Sequence, residues 1–269
     1  MTLNVGAVSY LNARPLLGDL ATDPRLCVVT MPPALVAGAL LGGSVDVGLV
    51  PAVALLDDPS LTWLPGLAIA AEGPVASVFL HWRPDFFEKA RRGEARLALD
   101  PHSRSSQALT RLLIEDKLGK DGVEGCRMEE RNPDEALRGG DFDAILVIGD
   151  LALRMGRPAG WRTWDLAEEW TRVTGLPFVF AVWGLKRDLL AREPWLKERF
   201  RRALEVGRQS IRAEAEAWSE DHGCDPSQGR DYLERSIRYT LGPREEQGLE
   251  LFLDRAAKII QPGKNRCSI

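Results

Sequence analysis

The stretch VGAVSYLNARPL at residues 5–16 decides how the fold begins, because an apolar strand runs directly into polar residues and the start of a helix. We predict a strand at residues 3–8 and a short helix near residues 13–19, with Asn12 as its N-cap and Pro15 in its first turn. The free N–H groups and positive dipole end of such a helix favour a carboxylate or phosphate, to which Arg14 would add charge. An ordinary capped helix without a ligand explains the same spacing equally well.

A second pattern occurs twice in the chain. ALLGGSVD at residues 39–46 returns as ALRGGDFD at residues 136–143, and each copy leads into an apolar strand, at residues 47–50 and 144–148. A helix, a Gly-Gly stop, an aspartate and a buried strand are therefore repeated, which indicates two similar lobes rather than a solenoid. Chance similarity is the alternative, since a Gly-Gly helix end is common in α/β proteins.

Length, composition and charge limit the classes of function. The chain has 269 residues, of which 45% are hydrophobic, enough for two modest cores. The net charge of −4 and the lack of a long Lys/Arg run argue against nucleic-acid binding, and no apolar window approaches the roughly 20 residues of a membrane span. The first residues enter the predicted strand without a basic or hydrophobic export signal, so we expect a cytoplasmic protein.

The residues that usually hold metals or nucleotides show no matching pattern. The cysteines and histidines are scattered without ligand spacing, so we expect free thiols and no metal site. No P-loop, dinucleotide-binding or serine-hydrolase motif occurs, and we expect no cofactor. The residues concerned are Cys27, Cys126, Cys224, Cys267, His81, His102 and His222.

Strands and crossover helices alternate up to about residue 175, which favours parallel sheets with helices on both faces. One more strand follows at residues 178–183. After it the chain is predicted to be helical, with helices at residues 194–217, 232–240 and 245–260.

The predicted fold class is therefore α/β with two lobes, each a mostly parallel sheet flanked by helices, and with a helical C-terminal part. We expect the strands at residues 77–82 and 178–183 to cross between the lobes and to form a hinge beside a ligand cleft. Residues 1–82 and 179–269 would then form the first lobe, and residues 83–178 the second.

The second lobe repeats the opening arrangement. A predicted strand at residues 96–99 runs into DPHSRSSQ at residues 100–107, which again places hydroxyl-rich residues at a helix start. Because ligands of open sheets lie at the carboxyl ends of strands, the two helix starts should face each other and hold an anionic small molecule from both sides. The serines could equally be redundant N-caps, with Arg104 in solvent.

Four stretches resemble one known family. They are residues 5–16, DVGLVPA at 46–52, SRSS at 103–106 and TGLPFVFAVW at 174–183. Together they resemble the menaquinone biosynthesis chorismate dehydratases of the futalosine route, nearly end to end. The resemblance implies a type 2 periplasmic-binding-protein-like fold and a cytoplasmic enzyme that dehydrates chorismate to 3-(1-carboxyvinyloxy)benzoate. This reaction makes the ring aromatic, so positioning in a dry cleft can replace a metal or cofactor.

The resemblance also implies roles for individual residues. Asn12 is the catalytic residue, which positions the substrate and its leaving hydroxyl. The ring proton goes to the substrate's own enolpyruvyl carboxylate or to His102, although a lone loop histidine is more often structural. Asp150 either contacts a ligand hydroxyl or caps the next helix. The expected substrate-binding residues are Ser9, Tyr10, Arg14, Pro51, Ser77, His102, Ser103, Arg104, Ser105, Ser106, Gly149 and Asp150, with Arg14 and Arg104 as charge partners.

Other functions stay open at this point. The related 1,4-dihydroxy-6-naphthoate synthase has a similar fold but a different N-terminal motif. A non-catalytic binding protein for a small organic anion would need export, and a ligand-sensing regulator would need a DNA-binding domain for which we expect no room. The expected partner is the small anionic substrate, without nucleic acid or membrane, and a homodimer is left open.

Overall fold

The computed structural model describes residues 2–259, which form two β-sheets covered by helices. The two-lobed α/β prediction is confirmed, and the two sheets define the lobes. The strands are β1 (Leu3–Ala7), β2 (Leu26–Thr30), β3 (Val47–Pro51), β4 (Leu61–Ala71), β5 (Val78–Trp82), β6 (Ala95–Leu99), β7 (Cys126–Glu130), β8 (Ala144–Ile148), β9 (Arg162–Asp165), β10 (Phe178–Lys186) and β11 (Arg238–Leu241).

Helices connect and cover these strands. They are α1 (Arg14–Leu17), α2 (Pro33–Leu41), α3 (Phe86–Arg91), α4 (Arg104–Leu118), α5 (Lys120–Glu124), α6 (Pro133–Gly139), α7 (Gly149–Met155), α8 (Leu166–Thr174), α9 (Arg187–Arg192), α10 (Trp195–Gln209), α11 (Ile211–His222), α12 (Pro226–Asp231) and α13 (Pro243–Ile259). Tight 3₁₀ turns occupy Leu11–Ala13, Leu20–Thr22 and Ala52–Leu56, and a wider π turn occupies Tyr232–Ser236.

Each sheet combines parallel and antiparallel strands. The first lobe has the order β11-β4-β10-β3-β1-β2 and the second β7-β6-β8-β5-β9. The parallel cores β2-β1-β3 and β7-β6-β8 correspond to each other, and β10 and β5 join them antiparallel. The sheets are therefore mixed rather than mostly parallel, because β5 and β10 enter their sheets from the opposite lobe.

The chain crosses between the lobes in two short segments rather than within strands. Strand β5 pairs with β8 and β9 in the second sheet, and β10 pairs with β3 and β4 in the first. The predicted hinge strands are thus corrected to residues 72–77 and 175–177. Since β5 belongs to the second sheet, that lobe begins before residue 83; the predicted lobe ranges otherwise remain a prediction.

The sequence repeat corresponds to a structural repeat. Helix α2 leads into β3, and α6 leads into β8. In the first lobe, Asn4 N donates to Asp46 Oδ2 at 2.8 Å while Asp46 N donates back to Asn4 O. In the second lobe, Arg96 N donates to Asp143 Oδ2 at 2.9 Å while Asp143 N donates back to Arg96 O. The repeated aspartate therefore aligns the same pair of parallel strands in each lobe.

The C-terminal part differs from the all-helical prediction. The predicted helix at residues 194–217 is two helices that meet at Ser210. Residues 232–240 form the π turn and most of β11, where Tyr239 and Leu241 are buried between exposed neighbours. This alternation is the period of a strand on a half-covered sheet. The sequence also failed to predict α5, β9, α8 and the first half of β4, and residue 260 lies outside the described part.

Helix α10 packs closely on α1 and contacts β4 of the first sheet. A Cβ atom on Gly207 of α10 would lie 2.0 Å from the carbonyl oxygen of Pro15, so only glycine permits this approach. The contact fixes the turn that follows β1. Cys27, Cys126 and Cys224 are free thiols, while Cys267 lies outside the described residues.

Candidate active site

A cavity that opens to solvent, with a volume of about 620 Å³ including its open mouth, lies between the lobes at the carboxyl ends of β1, β3, β6 and β8. This is where ligands of open α/β sheets bind. Both predicted strand-to-helix turns reach it. Its lining consists of Val8, Tyr10, Asn12, Pro33, Leu49, Pro51, Ile69, Val75, Ser77, Val78, His102, Ser103, Ser106, Ile148, Gly149, Phe180, Ala181 and Ile237.

Asn12 reaches the cavity from the 3₁₀ turn after β1 and does not cap a helix. Leu11 and Ala13 on either side are fully buried, which leaves Asn12 half-buried at the cavity wall. The predicted N-cap is wrong, because the cap position of α1 falls on Ala13 and no side chain accepts from the helix start. Asn12 Nδ2 instead donates to Tyr232 Oη at 2.9 Å.

Ser77 also lines the cavity and lies at the end of the first crossing segment. Its Oγ lies 2.8 Å from Tyr232 Oη, and its carbonyl oxygen accepts from Gly149 N at 2.8 Å. The preceding Ala76 has φ of 61°, a left-handed conformation that is strained for a residue with a Cβ. Asp165 holds it there by accepting from Ala76 N at 2.7 Å. Because this strain is maintained, the surrounding contacts must hold the backbone at Ala76 and Ser77 firmly in place.

The N-terminus of α4 supplies the polar wall of the second lobe. Ser103 is the N-cap, and its hydroxyl donates to Ser106 Oγ at 2.7 Å. Because Ser106 Oγ accepts this bond, its own hydrogen stays available to another acceptor. His102 is exposed at the cavity mouth, and its backbone N–H donates to the buried Asp100. Burial raises the pKa of the Asp100 carboxyl above its ordinary value.

Tyr10 covers the cavity beside Gly149. Gly149 has a φ of 64°, which favours glycine, and a Cβ there would meet the Tyr10 ring at 3.4 Å, an ordinary van der Waals contact. Burial, with smaller contributions from Asp100 and Asp150, raises the pKa of Tyr10 to about 12. Tyr10 therefore remains a neutral hydroxyl at physiological pH.

Two predicted site residues join the lobes instead of lining the cavity. Leu11 N donates to Asp150 Oδ1 at 3.3 Å, and Val53 N donates to Ser105 Oγ at 3.3 Å. The two bonds are related by the internal repeat. The first joins the turn after β1 to the residues after β8, and the second joins the residues after β3 to the turn after β6. Asp150 and Ser105 thus hold the closed arrangement.

The structure does not bring the other predicted residues to the cavity. Ser9 is exposed and does not line it. Arg14 pairs with Glu214 at 3.0 Å, because α11 presents its carboxylate on the outer side of the turn. Arg104 points out of the α4 start and makes two bonds, of 2.6 and 2.8 Å, to Asp57 of the first lobe. Both guanidinium groups are therefore committed elsewhere.

The polar side chains that line the cavity are hydroxyl, amide and imidazole groups. Within residues 2–259 the lining includes no Lys or Arg, and an anion would be held by hydroxyl, amide and backbone N–H groups. Such donors can bind a carboxylate in a site that excludes water, where each hydrogen bond is stronger than in solvent. Most of the remaining lining is apolar and suits a carbocyclic ring.

The sequence predicted the polar side chains that line the cavity but missed Tyr232, which hydrogen-bonds to two of them. The structure brings Tyr10, Asn12, Pro51, Ser77, His102, Ser103, Ser106 and Gly149 together. Tyr232 was placed inside a predicted helix, and its bond to Asn12 spans 220 residues, so no local pattern could reveal it. The apolar contributions of Phe180 and Ile237 were missed for the same reason.

Residues 2–259 contain no group of His, Cys, Asp or Glu side chains arranged to hold a metal ion. In the same range, none of the helices combines the length and hydropathy needed to traverse a bilayer.

Comparison with known proteins gives matches along almost the whole chain. A family model described as menaquinone biosynthesis matches residues 3–258. A chorismate dehydratase of Thermus thermophilus is 31% identical over 267 residues, which cover 93% of each chain. A solved protein of Archaeoglobus fulgidus aligns with a TM-score of 0.75 at 15% identity, covering 96% of this chain and 97% of that one. The periplasmic aliphatic sulphonate binding protein of Escherichia coli aligns with a TM-score of 0.62 at 16% identity, covering 94% and 87%. The last two matches show the fold alone.

Proposed function

The chain belongs to the menaquinone biosynthesis family, and from this premise we propose that it is a chorismate dehydratase, a hydro-lyase that converts chorismate to 3-(1-carboxyvinyloxy)benzoate. The observation that carries the proposal is the cavity between the lobes into which both repeated turns project, one with Asn12 and the other with Ser103 and Ser106. The proposal includes a cytoplasmic location, and a homodimer remains a prediction.

The chemistry requires little from the protein. One ring C–H bond and the bond from the ring to the hydroxyl break, the hydroxyl leaves with the proton as water, and the ring becomes aromatic. Holding the substrate in a reactive conformer can supply about 7 to 11 kcal/mol of barrier reduction. The mostly apolar lining suits an elimination that needs orientation of the substrate more than acid–base groups.

Each polar group of the cavity has a place in this scheme. The amide of Asn12 positions the leaving hydroxyl, and Ser77 and Ser106 donate to the substrate's carboxylates. The enolpyruvyl carboxylate of the substrate takes the ring proton and passes it to the departing hydroxyl, which leaves as water. His102, at the mouth of the cavity, is the alternative acceptor, and Tyr10 and Gly149 shape the wall against the ring.

Incubation of the purified protein with chorismate tests the proposal, with the product followed by chromatography and absorbance. Asn12→Ala should reduce kcat at least about tenfold, equivalent to about 1.4 kcal/mol of transition-state stabilisation. Asn132→Ala is the matched control, because Asn132 is an exposed N-cap of α6 and does not line the cavity. Binding of chorismate without turnover would favour a non-catalytic binding protein, and absence of binding would remove chorismate as the ligand.

A further inference from the structure

Tyr232 connects two walls of the cavity through a single hydroxyl. Its side chain is 3% exposed, and Oη lies 2.9 Å from Asn12 Nδ2 and 2.8 Å from Ser77 Oγ. The turn after β1, the first crossing segment and the π turn before β11 are distant in the sequence and meet at this oxygen.

The donors and acceptors at this oxygen fix the direction of both bonds. An amide Nδ2 can only donate, so Tyr232 Oη accepts from Asn12. The single hydrogen of Tyr232 then needs an acceptor, since a buried hydroxyl hydrogen without one is costly. Within the described part of the chain, Ser77 Oγ is the acceptor in reach. Ser77 therefore accepts from Tyr232 and keeps its own hydrogen for the cavity.

We propose that Tyr232 is a positioning residue that orients the Asn12 amide and directs the Ser77 hydroxyl hydrogen towards the substrate. The inference rests on the proposed function, and it adds how the reactive groups of that site are held. Asn12 presents its carbonyl oxygen and its second N–H to the substrate hydroxyl. Ser77 presents an O–H donor, which matches a carboxylate oxygen.

The surroundings keep this arrangement constant over the working pH range. Burial is the main cause that raises the pKa of Tyr232 far above its ordinary value. The hydroxyl therefore stays protonated, and its part is to hold hydrogen bonds rather than to transfer a proton.

Tyr232→Phe tests the proposal, and Tyr239→Phe is the matched control. Tyr239 is also buried in this segment, but its hydroxyl makes no hydrogen bond within residues 2–259. In Tyr232→Phe we expect kcat for chorismate to fall about tenfold while KM changes less, and the shape of the kcat–pH profile to stay the same. Tyr239→Phe should leave kcat and KM unchanged. In an Asn12→Ala background, Tyr232→Phe should reduce kcat by less than it does alone, because only the orientation of Ser77 is then left to lose.

A second readout does not depend on turnover. In nitrogen-15 labelled protein, the side-chain amide signals of Asn12 are assigned by their loss in Asn12→Ala, and their hydrogen exchange is measured without ligand. We expect Tyr232→Phe to speed this exchange by about tenfold, and Tyr239→Phe to leave it unchanged.

These results separate the two proposals. If the unaltered protein does not convert chorismate, the proposed function fails, while amide exchange still decides the role of Tyr232. Exchange and kcat in Tyr232→Phe that match Tyr239→Phe would overturn the positioning role. Loss of the basic limb of the pH profile in Tyr232→Phe would also overturn it, because Tyr232 would then act as an acid.

Discussion

The ion pair between Arg104 and Asp57 joins the two lobes at the edge of the cavity, and its removal should favour their separation. A substrate must enter between the lobes, so we expect an open state in equilibrium with the closed one. Arg104→Met removes the two bonds of 2.6 and 2.8 Å but keeps an aliphatic side chain of similar length.

The size of the effect follows from the geometry and exposure of the pair. The side chains are 37% and 25% exposed, so water and salt screen their attraction. The two hydrogen bonds nevertheless place the stabilisation by this pair at the upper end of the range for exposed ion pairs. We expect a loss of about 1 kcal/mol of closed-state stability, or about a fivefold lower ratio of closed to open lobes.

Small-angle scattering of the free protein and equilibrium binding of chorismate measure this shift. Arg104→Met should enlarge the average radius of gyration and weaken the binding of chorismate by about fivefold or less. Raising the salt concentration from about 0.05 M to about 0.5 M should change both quantities less in the variant than in the unaltered protein. Arg192→Met is the control, since Arg192 pairs with Asp188 within α9 and joins no lobes. A double-mutant cycle with Asp57→Asn should give a coupling of about 1 kcal/mol. Zero coupling, or equal salt dependence in the variant and the unaltered protein, would refute the reasoning.

Three further changes test how the fold supports the site. Gly207→Ala should destabilise the protein by about 2 kcal/mol or more through the clash with Pro15, a loss visible in denaturant unfolding, and unchanged stability would contradict the close packing. His81 is buried, and burial lowers its pKa to about 4. The unfolded chain therefore binds the proton more tightly than the folded protein does. We expect the free energy of unfolding to fall by up to about 3 kcal/mol as the pH drops from about 6.5 to 4. His81→Gln should flatten this pH dependence, and an equal slope in the variant would assign it to other groups. Ala76→Gly should relieve the left-handed strain and raise the melting temperature or leave it unchanged, whereas a large loss of stability would show that Ala76 contributes packing instead.

The predicted secondary structure succeeded where a local pattern was strong. The Gly-Gly helix stops before β3 and β8 and the apolar runs of these strands were predicted correctly. The prediction failed in residues 232–240, where a short alternating strand was interpreted as a helix, because a segment of this length fits both periods. It also failed for the crossing segments, because sheet membership depends on pairing partners far away in the chain.

The site was predicted only in part, for a similar reason. The positions of Asn12 and Ser106 follow from strand ends and helix starts, which are local features. The directions of Arg14 and Arg104 follow from carboxylates on other elements, and these turn both side chains away from the cavity.

The amino-acid sequence by itself determined the two repeated units and the polar turns at the ends of their first strands, because hydrophobic period, glycine stops and helix-start residues act between near neighbours. Only the tertiary structure decided which polar groups meet in the cavity. Tyr232 reaches Asn12 across 220 residues, and Asp57 pairs with Arg104 from the other lobe. Such contacts depend on how whole elements pack, which no segment of the chain encodes alone.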